Sequence, residues 1–216
     1  MLNFFYKGRD PLSSYTHFIG MAFSVIGTIL LIAINIINNN SIISLISCLI
    51  FGISMISLYA ASTYYHYIIA DATKIFKYRK LDHAMIYVLI AGTYTPVLLC
   101  FTPDNSGITF AIALWSIVFV AIILKLLWFN MPRWLCTAFY LALGWSILLK
   151  LDIFKAIPLT CTVLIVLGGI LYSIGAIIYI IKKPNISKDF GFHEVFHVFI
   201  MLGTASHFAS VLYFIV

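Results

Sequence analysis

Two short motifs and one aspartate in this chain have the residue types and spacing of a metal site. Ser62 lies four residues before His66, and His193 lies four residues before His197. Residues four apart project from the same face of a helix, so the members of each pair can reach one common ligand. Asp82 lies between the two pairs along the chain. Together these side chains predict metal-dependent acid–base chemistry.

Two imidazoles from one helix and a third from another give the three protein ligands of a catalytic zinc site, which leaves a fourth position for water. We therefore predict that Zn²⁺ binds to His66, His193 and His197. Ser62, one turn before His66, would orient a water or a substrate carbonyl. Asp82 would accept a proton from the metal-activated water and act as general base.

Each of these polar residues also has a simpler interpretation. His66 could be an interfacial histidine that donates to a carbonyl, and Asp82 could cap a helix, because aspartate is a favoured N-cap. We interpret His17 and His83 as helix-end residues or as partners of the metal ligands. Glu194 is expected to face water or lipid headgroups. The metal interpretation is favoured because the candidate residues converge on one level of the fold predicted below.

The composition is that of a membrane protein. The chain has 216 residues, of which 63% are hydrophobic and 9% charged, and its mean hydropathy is +1.08. A soluble domain would carry about 25% charged residues. Apolar stretches sufficient for a spanning helix of about 20 residues recur along the whole chain. We predict one all-α domain over residues 1–216, a seven-helix membrane bundle. The predicted spans are 15–37, 42–70, 82–102, 107–129, 133–151, 157–181 and 193–215.

The basic residues predict the orientation of this bundle. Ten Lys and Arg residues fall in the N-terminal segment and in the loops on its side, whereas only Lys150 and Lys155 fall on the other side. Cytosolic loops are enriched in such residues, so the N-terminus is predicted to be cytosolic and the C-terminus outside, in the cell membrane. The candidate metal ligands, Ser62 and Asp82 then share the cytosolic layer. His207 lies ten residues beyond His197, about 15 Å along a helix, and is expected near the middle of the membrane.

The charge and the cysteines exclude other classes of protein. The net charge of +6 comes from lysines and arginines in short loops beside apolar helices, which favours a role in membrane topology over nucleic-acid binding. The four cysteines stand singly, without the spacing of a disulfide framework or a cysteine metal site. Neither a nucleic-acid partner nor a cysteine-bound metal is therefore expected.

The motifs resemble those of the haemolysin III family, the bacterial branch of the progestin and adiponectin receptor superfamily. The resemblance runs from Ser14-x-x-His17 to the last span and is carried by Ala61-Ser62-Thr63-Tyr64-Tyr65-His66, Arg79-Lys80-Leu81-Asp82-His83, Ala91-Gly92-Thr93-Tyr94-Thr95-Pro96, His193-Glu194-Val195-Phe196-His197 and His207-Phe208. It implies a zinc ion held by the three histidines predicted above, with Asp82 contacting it through water and Ser62 close by. It also implies seven helices with a cytosolic N-terminus. Animal members of the superfamily resemble lipid hydrolases with a proposed ceramidase-like activity, so the resemblance implies membrane lipids as the substrate or ligand.

Three functions remain open at this point. The first is a zinc-dependent hydrolase of a lipid amide or ester, involved in membrane lipid homeostasis. The second is a pore-forming or cytolytic protein, as the family name suggests, although an ion pathway is expected to place polar side chains along whole spans. The third is a non-catalytic membrane sensor in which zinc holds helices together. Three histidines with a position for water favour catalysis, because closed structural zinc sites use four protein ligands.

Overall fold

The computed structural model of the protein describes residues 2–102, 105–128 and 130–215. These residues form helices joined by short connections, and no strand occurs among them. In chain order the elements are α1 (Leu2–Phe5), α2 (Pro11–Ile37), α3 (Ile42–Tyr67), α4 (Ala72–Cys100), α5 (Ser106–Leu127), α6 (Arg133–Gly144), a 3₁₀ turn (Ser146–Leu149), α7 (Ile153–Ala156), α8 (Leu159–Ile181) and α9 (Phe192–Ile215).

Six of these helices are long and apolar enough to cross a membrane: α2, α3, α4, α5, α8 and α9. They correspond to the first four and the last two predicted spans. Their lipid-facing sides carry large apolar side chains, as Phe23 and Phe119 illustrate with exposed fractions of 69% and 66%. The prediction of an all-α membrane protein is confirmed, whereas the orientation of the bundle remains a prediction from the charge distribution.

The fifth predicted span, 133–151, is a broken helix. Helix α6 has 12 residues, which rise about 18 Å, well short of the roughly 30 Å hydrocarbon layer. It ends at Gly144, whose carbonyl accepts a hydrogen bond from the Tyr94 hydroxyl. The segment still follows α8, since Arg133 stacks over Tyr179 and the Trp145 indole donates to Ser173 Oγ at 2.9 Å. The prediction of seven continuous spanning helices is therefore supported for six.

Helix α4 begins ten residues before the predicted third span, which changes the role of Asp82. The N-cap of α4 is Asp71, whose carboxylate accepts from the Lys74 backbone N–H at 2.9 Å. The basic stretch after Asp71 is therefore the first part of a long helix. Asp82 lies inside this helix, where backbone N–H groups already have helical partners. The interpretation of Asp82 as a helix cap is wrong, and its carboxylate is available to other groups.

Five of the long helices, together with α6, form a ring around a cavity. Neighbouring helices in the ring are α2, α3, α4, α6, α8 and α9, and α9 closes it by packing on α2. Helix α5 packs against the outside of α4. The cavity has a volume of about 470 Å³ and is lined by residues of every helix in the ring, together with Lys125 of α5. The ring brings α2, the first long helix of the chain, next to α9, the last one.

The inner faces of the helices carry mainly small and polar side chains. Along α2 the buried positions include Ser13, His17, Gly20, Ser24 and Thr28, which recur every three or four residues. The hydroxyl of Ser24 donates to the Gly20 carbonyl at 2.7 Å, and that of Thr28 to the Ser24 carbonyl at 2.6 Å. Such bonds satisfy hydroxyl groups inside a helix, and small residues let membrane helices approach closely.

The closest approach of α3 and α4 depends on Gly92. A Cβ atom at Gly92 would overlap Oγ and Cβ of Ser54, which is 1% exposed on α3. Because both clashing atoms lie next to the backbone of α3, the side chain cannot move away without the helices separating. Gly144 is the opposite case, since a Cβ atom there has no neighbour within 4 Å among the described residues.

We therefore predict that Gly92→Ala destabilises the bundle and that Gly144→Ala does not. Overpacking of this kind costs about 1–3 kcal/mol. The measurement is the thermal unfolding midpoint of the protein purified in detergent. A Gly92→Ala variant as stable as the wild type would contradict the close packing of α3 on α4.

Candidate metal centre

Three histidines from two helices converge at one end of the cavity. His66 lies in the last turn of α3, and His193 and His197 lie in the first two turns of α9. One ring nitrogen of each lies within 4.8 Å of those of the other two, and the Nε2 atoms of His66 and His193 are 3.2 Å apart. His66 and His197 are 4% and 2% exposed. The structure thus brings together the three histidines predicted as metal ligands.

The segment between α1 and α2 orients His66. Oδ2 of Asp10 is 3.0 Å from Nδ1 of His66, and the Asp10 backbone N–H donates to the His66 carbonyl at 2.9 Å. The guanidinium of Arg9 donates twice to the same carboxylate oxygen. Partial burial opposes ionisation of Asp10, but the hydrogen bonds from His66 and Arg9 outweigh it, so the pKa of Asp10 lies below its usual value. A carboxylate accepts from Nδ1–H, which leaves the lone pair of His66 on Nε2.

His197 is oriented by two residues of α2. Oγ1 of Thr16 lies 3.4 Å from Nδ1 of His197. The ring of His17 stacks on the ring of His197, with centroids 3.5 Å apart and planes 12° from parallel. His17 is 3% exposed and lines the cavity, and neither of its ring nitrogens has a hydrogen-bond partner among the described residues. Buried polar atoms of this kind call for a partner, which a polar group in the cavity would supply.

This donor set fits a zinc ion. Two nitrogens that each lie about 2.0–2.1 Å from one zinc are at most about 4.2 Å apart. Nε2 of His66 and Nε2 of His193, at 3.2 Å, meet that limit, and the His197 nitrogen lies within 4.8 Å of both. Zinc-binding histidines donate their other ring nitrogen to a carboxylate, carbonyl or water, which fixes the tautomer. Asp10 is such a partner for Nδ1 of His66, and Thr16 is such a partner for Nδ1 of His197. The three candidate ligands are all imidazoles and lie together in a largely buried site.

Ser62 and Asp82 face the same end of the cavity. Ser62 is 1% exposed on α3, one turn before His66, and lines the cavity together with Asp82 of α4. The same cavity wall also includes His193 and His197. The structure therefore places both predicted catalytic residues beside the histidines.

His83, His207 and Glu194 lie at three different places in the structure. His83 lines the cavity from α4. His207 stacks on Tyr172, with ring centroids 5.4 Å apart, and contributes to the deep part of the cavity. Glu194 does not face the surroundings as expected: it accepts from the Ser13 hydroxyl at 2.5 Å and from the Gly191 N–H at 2.9 Å. Its carboxylate closes the start of α9 and ties it to α2, because a glutamate in the first turn can reach back to the N-cap.

Asp10 and Thr16 are the site residues that the sequence analysis missed. Both lie at the start of the first span, on the side where the charge distribution places His66. The argument from common depth that selected Asp82 would therefore also have selected Asp10. Thr16 carries no such signal, because threonine is common on membrane helices and its contact with His197 depends on the packing of α2 against α9.

Comparison with known proteins shows the family of this chain. The model of the family described as "Haemolysin-III related" matches residues 5–208. A protein named "Hemolysin-3 homolog" from Bacillus subtilis (strain 168) is 36% identical over 209 residues, which cover 96% of this chain and 95% of the relative. "Hemolysin-3" from Bacillus cereus is 32% identical over 209 residues, with 96% and 92% covered. No solved structure matches this chain. With apolar helices that span the membrane and a family match over nearly its whole length, the chain is a multi-pass membrane protein of the haemolysin III family.

Proposed function

We propose that this protein is a zinc-dependent hydrolase of a lipid amide or ester, with its site at the cytosolic face of the cell membrane. The observation that carries the proposal is the convergence of three histidine nitrogens, Asp82 and Ser62 at the polar end of a cavity of about 470 Å³. A metal site beside a general base and a hydroxyl group, open to a largely apolar cavity, fits hydrolysis of a bond next to an acyl chain.

His66, His193 and His197 would hold the ion, with Asp10 and Thr16 fixing the orientation of their rings. When bound, zinc supplies Lewis acidity and lowers the pKa of a water molecule toward neutrality. The neutral ligand set leaves the positive charge of the ion uncompensated, which strengthens both effects.

The remaining residues handle protons and orientation. Asp82 would take a proton from the attacking water and deliver it to the leaving nitrogen or oxygen as the bond to the carbonyl carbon breaks. The hydroxyl of Ser62 would donate to the carbonyl oxygen, where negative charge develops. His17, whose ring nitrogens have no partner within the described part of the chain, would donate to the same oxygen or to the attacking water.

The apolar part of the cavity would bind the acyl chain. Its wall includes Leu58, Leu89, Ile90, Trp145 and Ile200. Burial of an acyl chain there is favourable by about 0.8 kcal/mol for each CH₂ group. It would also place the bond next to the chain beside Asp82 and exclude bulk water.

Membrane lysis is the second candidate, and the names of the two Bacillus relatives are the observation that favours it. One experiment distinguishes lysis from hydrolysis: it measures the release of a dye from protein-containing liposomes. Release that persists in a folded His66→Ala variant would identify lysis that does not depend on the histidine site.

The first prediction of this proposal concerns the metal. The purified protein should contain about one zinc per chain, and His193→Ala/His197→Ala should contain almost none, because a pair of its three ligands is lost. The measurement is metal content by mass spectrometry, with His207→Gln as the control variant that keeps the site. Well-folded wild-type protein without metal would contradict the proposal. Loss of helix packing after chelation would instead favour the structural role of zinc.

The second prediction concerns Asp10. Asp10→Ala should weaken zinc binding by about 10–100-fold, the usual effect of removing the partner of a metal-binding histidine. The zinc affinity of Asp10→Asn should lie between those of the wild type and Asp10→Ala, because the amide oxygen still accepts from Nδ1–H but carries no charge. Affinity is measured by competition with a zinc indicator, and the spectrum of the cobalt-substituted protein reports ligand geometry. Asp71→Asn, at the N-cap of α4, is the matched control and should bind zinc normally.

The third prediction concerns Asp82. Asp82→Asn should retain zinc but lose about 10²–10⁴-fold in kcat on a lipid amide, because general-base catalysis contributes factors of that size. Turnover is measured by release of the free acid, and zinc content is measured in the same preparation. Undiminished turnover in the zinc-loaded variant would rule out Asp82 as the base.

A further inference from the structure

Three cations line the cavity at the end where the histidines lie. They are Arg79 of α4, Lys125 of α5 and Arg133 of α6. They differ in burial: Arg79 is exposed, Arg133 is half-buried, and Lys125 is only 3% exposed. Asp82 is the single carboxylate among the lining residues that the structure describes. Cations thus outnumber carboxylates three to one, and the histidine ligands add no negative charge.

These cations differ from those that only set membrane topology. Lys77 on α4 and Lys183 after α8 are exposed and do not line the cavity, as expected of loop and headgroup lysines. Lys125 instead has its ammonium 3.0 Å from the Cys136 thiol, inside the protein. A cation inside a largely apolar wall is costly, and such residues commonly mark the path or the site of a charged ligand.

Arg133 and the candidate metal ligand His193 both lie next to Tyr179. The guanidinium of Arg133 lies 4.7 Å from the centre of the Tyr179 ring, and that ring lies 6.0 Å from the ring of His193. Arg79 lines the same cavity as Arg133 and His193. In a single ligand, a charged group beside these cations and a scissile bond beside the histidines would therefore be only a few atoms apart.

The volume of the cavity limits the apolar part of the ligand. Cavities that hold drug-sized ligands span roughly 300–1,000 Å³, and this one, at about 470 Å³, lies in the lower part of that range. It suits one acyl chain with a small headgroup better than a lipid with two chains.

We propose that the ligand of this cavity is a single-chain acyl lipid whose headgroup is an anion, a carboxylate or a phosphate, bound by Arg79, Lys125 and Arg133. If the hydrolase function proposed above holds, the scissile amide or ester lies at the histidines and the anion belongs to the leaving fragment. The apolar wall binds the chain, and the cations select against neutral lipids with the same chain and linkage.

The test measures binding of matched lipids to the full-length protein in neutral detergent by native mass spectrometry. N-palmitoylglycine and N-palmitoylethanolamine share chain and amide and differ in the carboxylate. Palmitoyl lysophosphatidic acid and monopalmitoylglycerol form the corresponding phosphate pair and show which anion is preferred. In at least one pair we expect the anionic member to bind about tenfold or more tightly, the size of effect that one partly screened charge pair gives.

Variants of the cavity wall test the assignment. Lys125→Met, which keeps most of the apolar stem, and Arg133→Gln should each reduce the preference for the anion to about threefold or less, since each removes one cation. Lys77→Gln, an exposed cation at the same end of α4, is the control and should leave the preference unchanged. The thermal midpoint of each variant establishes that it is folded.

Three results would overturn the inference. They are equal binding of anionic and neutral members in both pairs, an unchanged preference in folded Lys125→Met, and binding of N-acetylglycine as tight as that of N-palmitoylglycine. The outcome is distinguishable from failure of the hydrolase proposal. Selective binding without turnover supports the anionic ligand alone, whereas hydrolysis of neutral amides without charge preference supports the hydrolase and refutes the anionic ligand.

Discussion

A bundle that faces hydrocarbon on the outside must satisfy its polar groups on the inside, and the rest of this structure follows from that constraint. Large apolar side chains occupy the outer surfaces of the helices, so hydroxyl groups, histidines and one lysine are left for the interior. Serine and threonine hydroxyls meet the requirement locally by donating to carbonyls of the preceding turn. Imidazoles and carboxylates have no such local partner and must find each other across helices.

The histidine cluster is the place where several elements meet for this reason. The segment before α2 brings Asp10 to His66, α2 brings Thr16 and His17 to His197, and Glu194 ties the start of α9 back to Ser13. Each contact joins parts of the chain that are far apart in sequence. The same contacts that close the ring of helices therefore also fix the imidazole orientations that a metal ion requires.

The two ends of the cavity differ in polarity. One end is polar and basic, and the other is lined by aliphatic and aromatic side chains together with His207 and the hydroxyl of Tyr172. An amphipathic ligand can enter such a space in only one orientation without burying its charge among apolar groups. This orientation places the bond next to the acyl chain near the histidines, which connects the proposed hydrolysis with the proposed anionic headgroup.

The sequence by itself determined the membrane class, the limits of most helices and the identity of the candidate ligands, because apolar length and the four-residue spacing of histidines are local properties. It did not determine where α4 begins, since the basic residues after Asp71 read as a loop but continue the helix once Asp71 caps it. It also did not reveal that 133–151 is broken, because the interruption depends on hydrogen bonds of Tyr94 and Trp145 with neighbouring elements. Only the tertiary structure decided which side chains orient the histidines and that Lys125 faces a cavity, since both depend on which helices become neighbours in the ring.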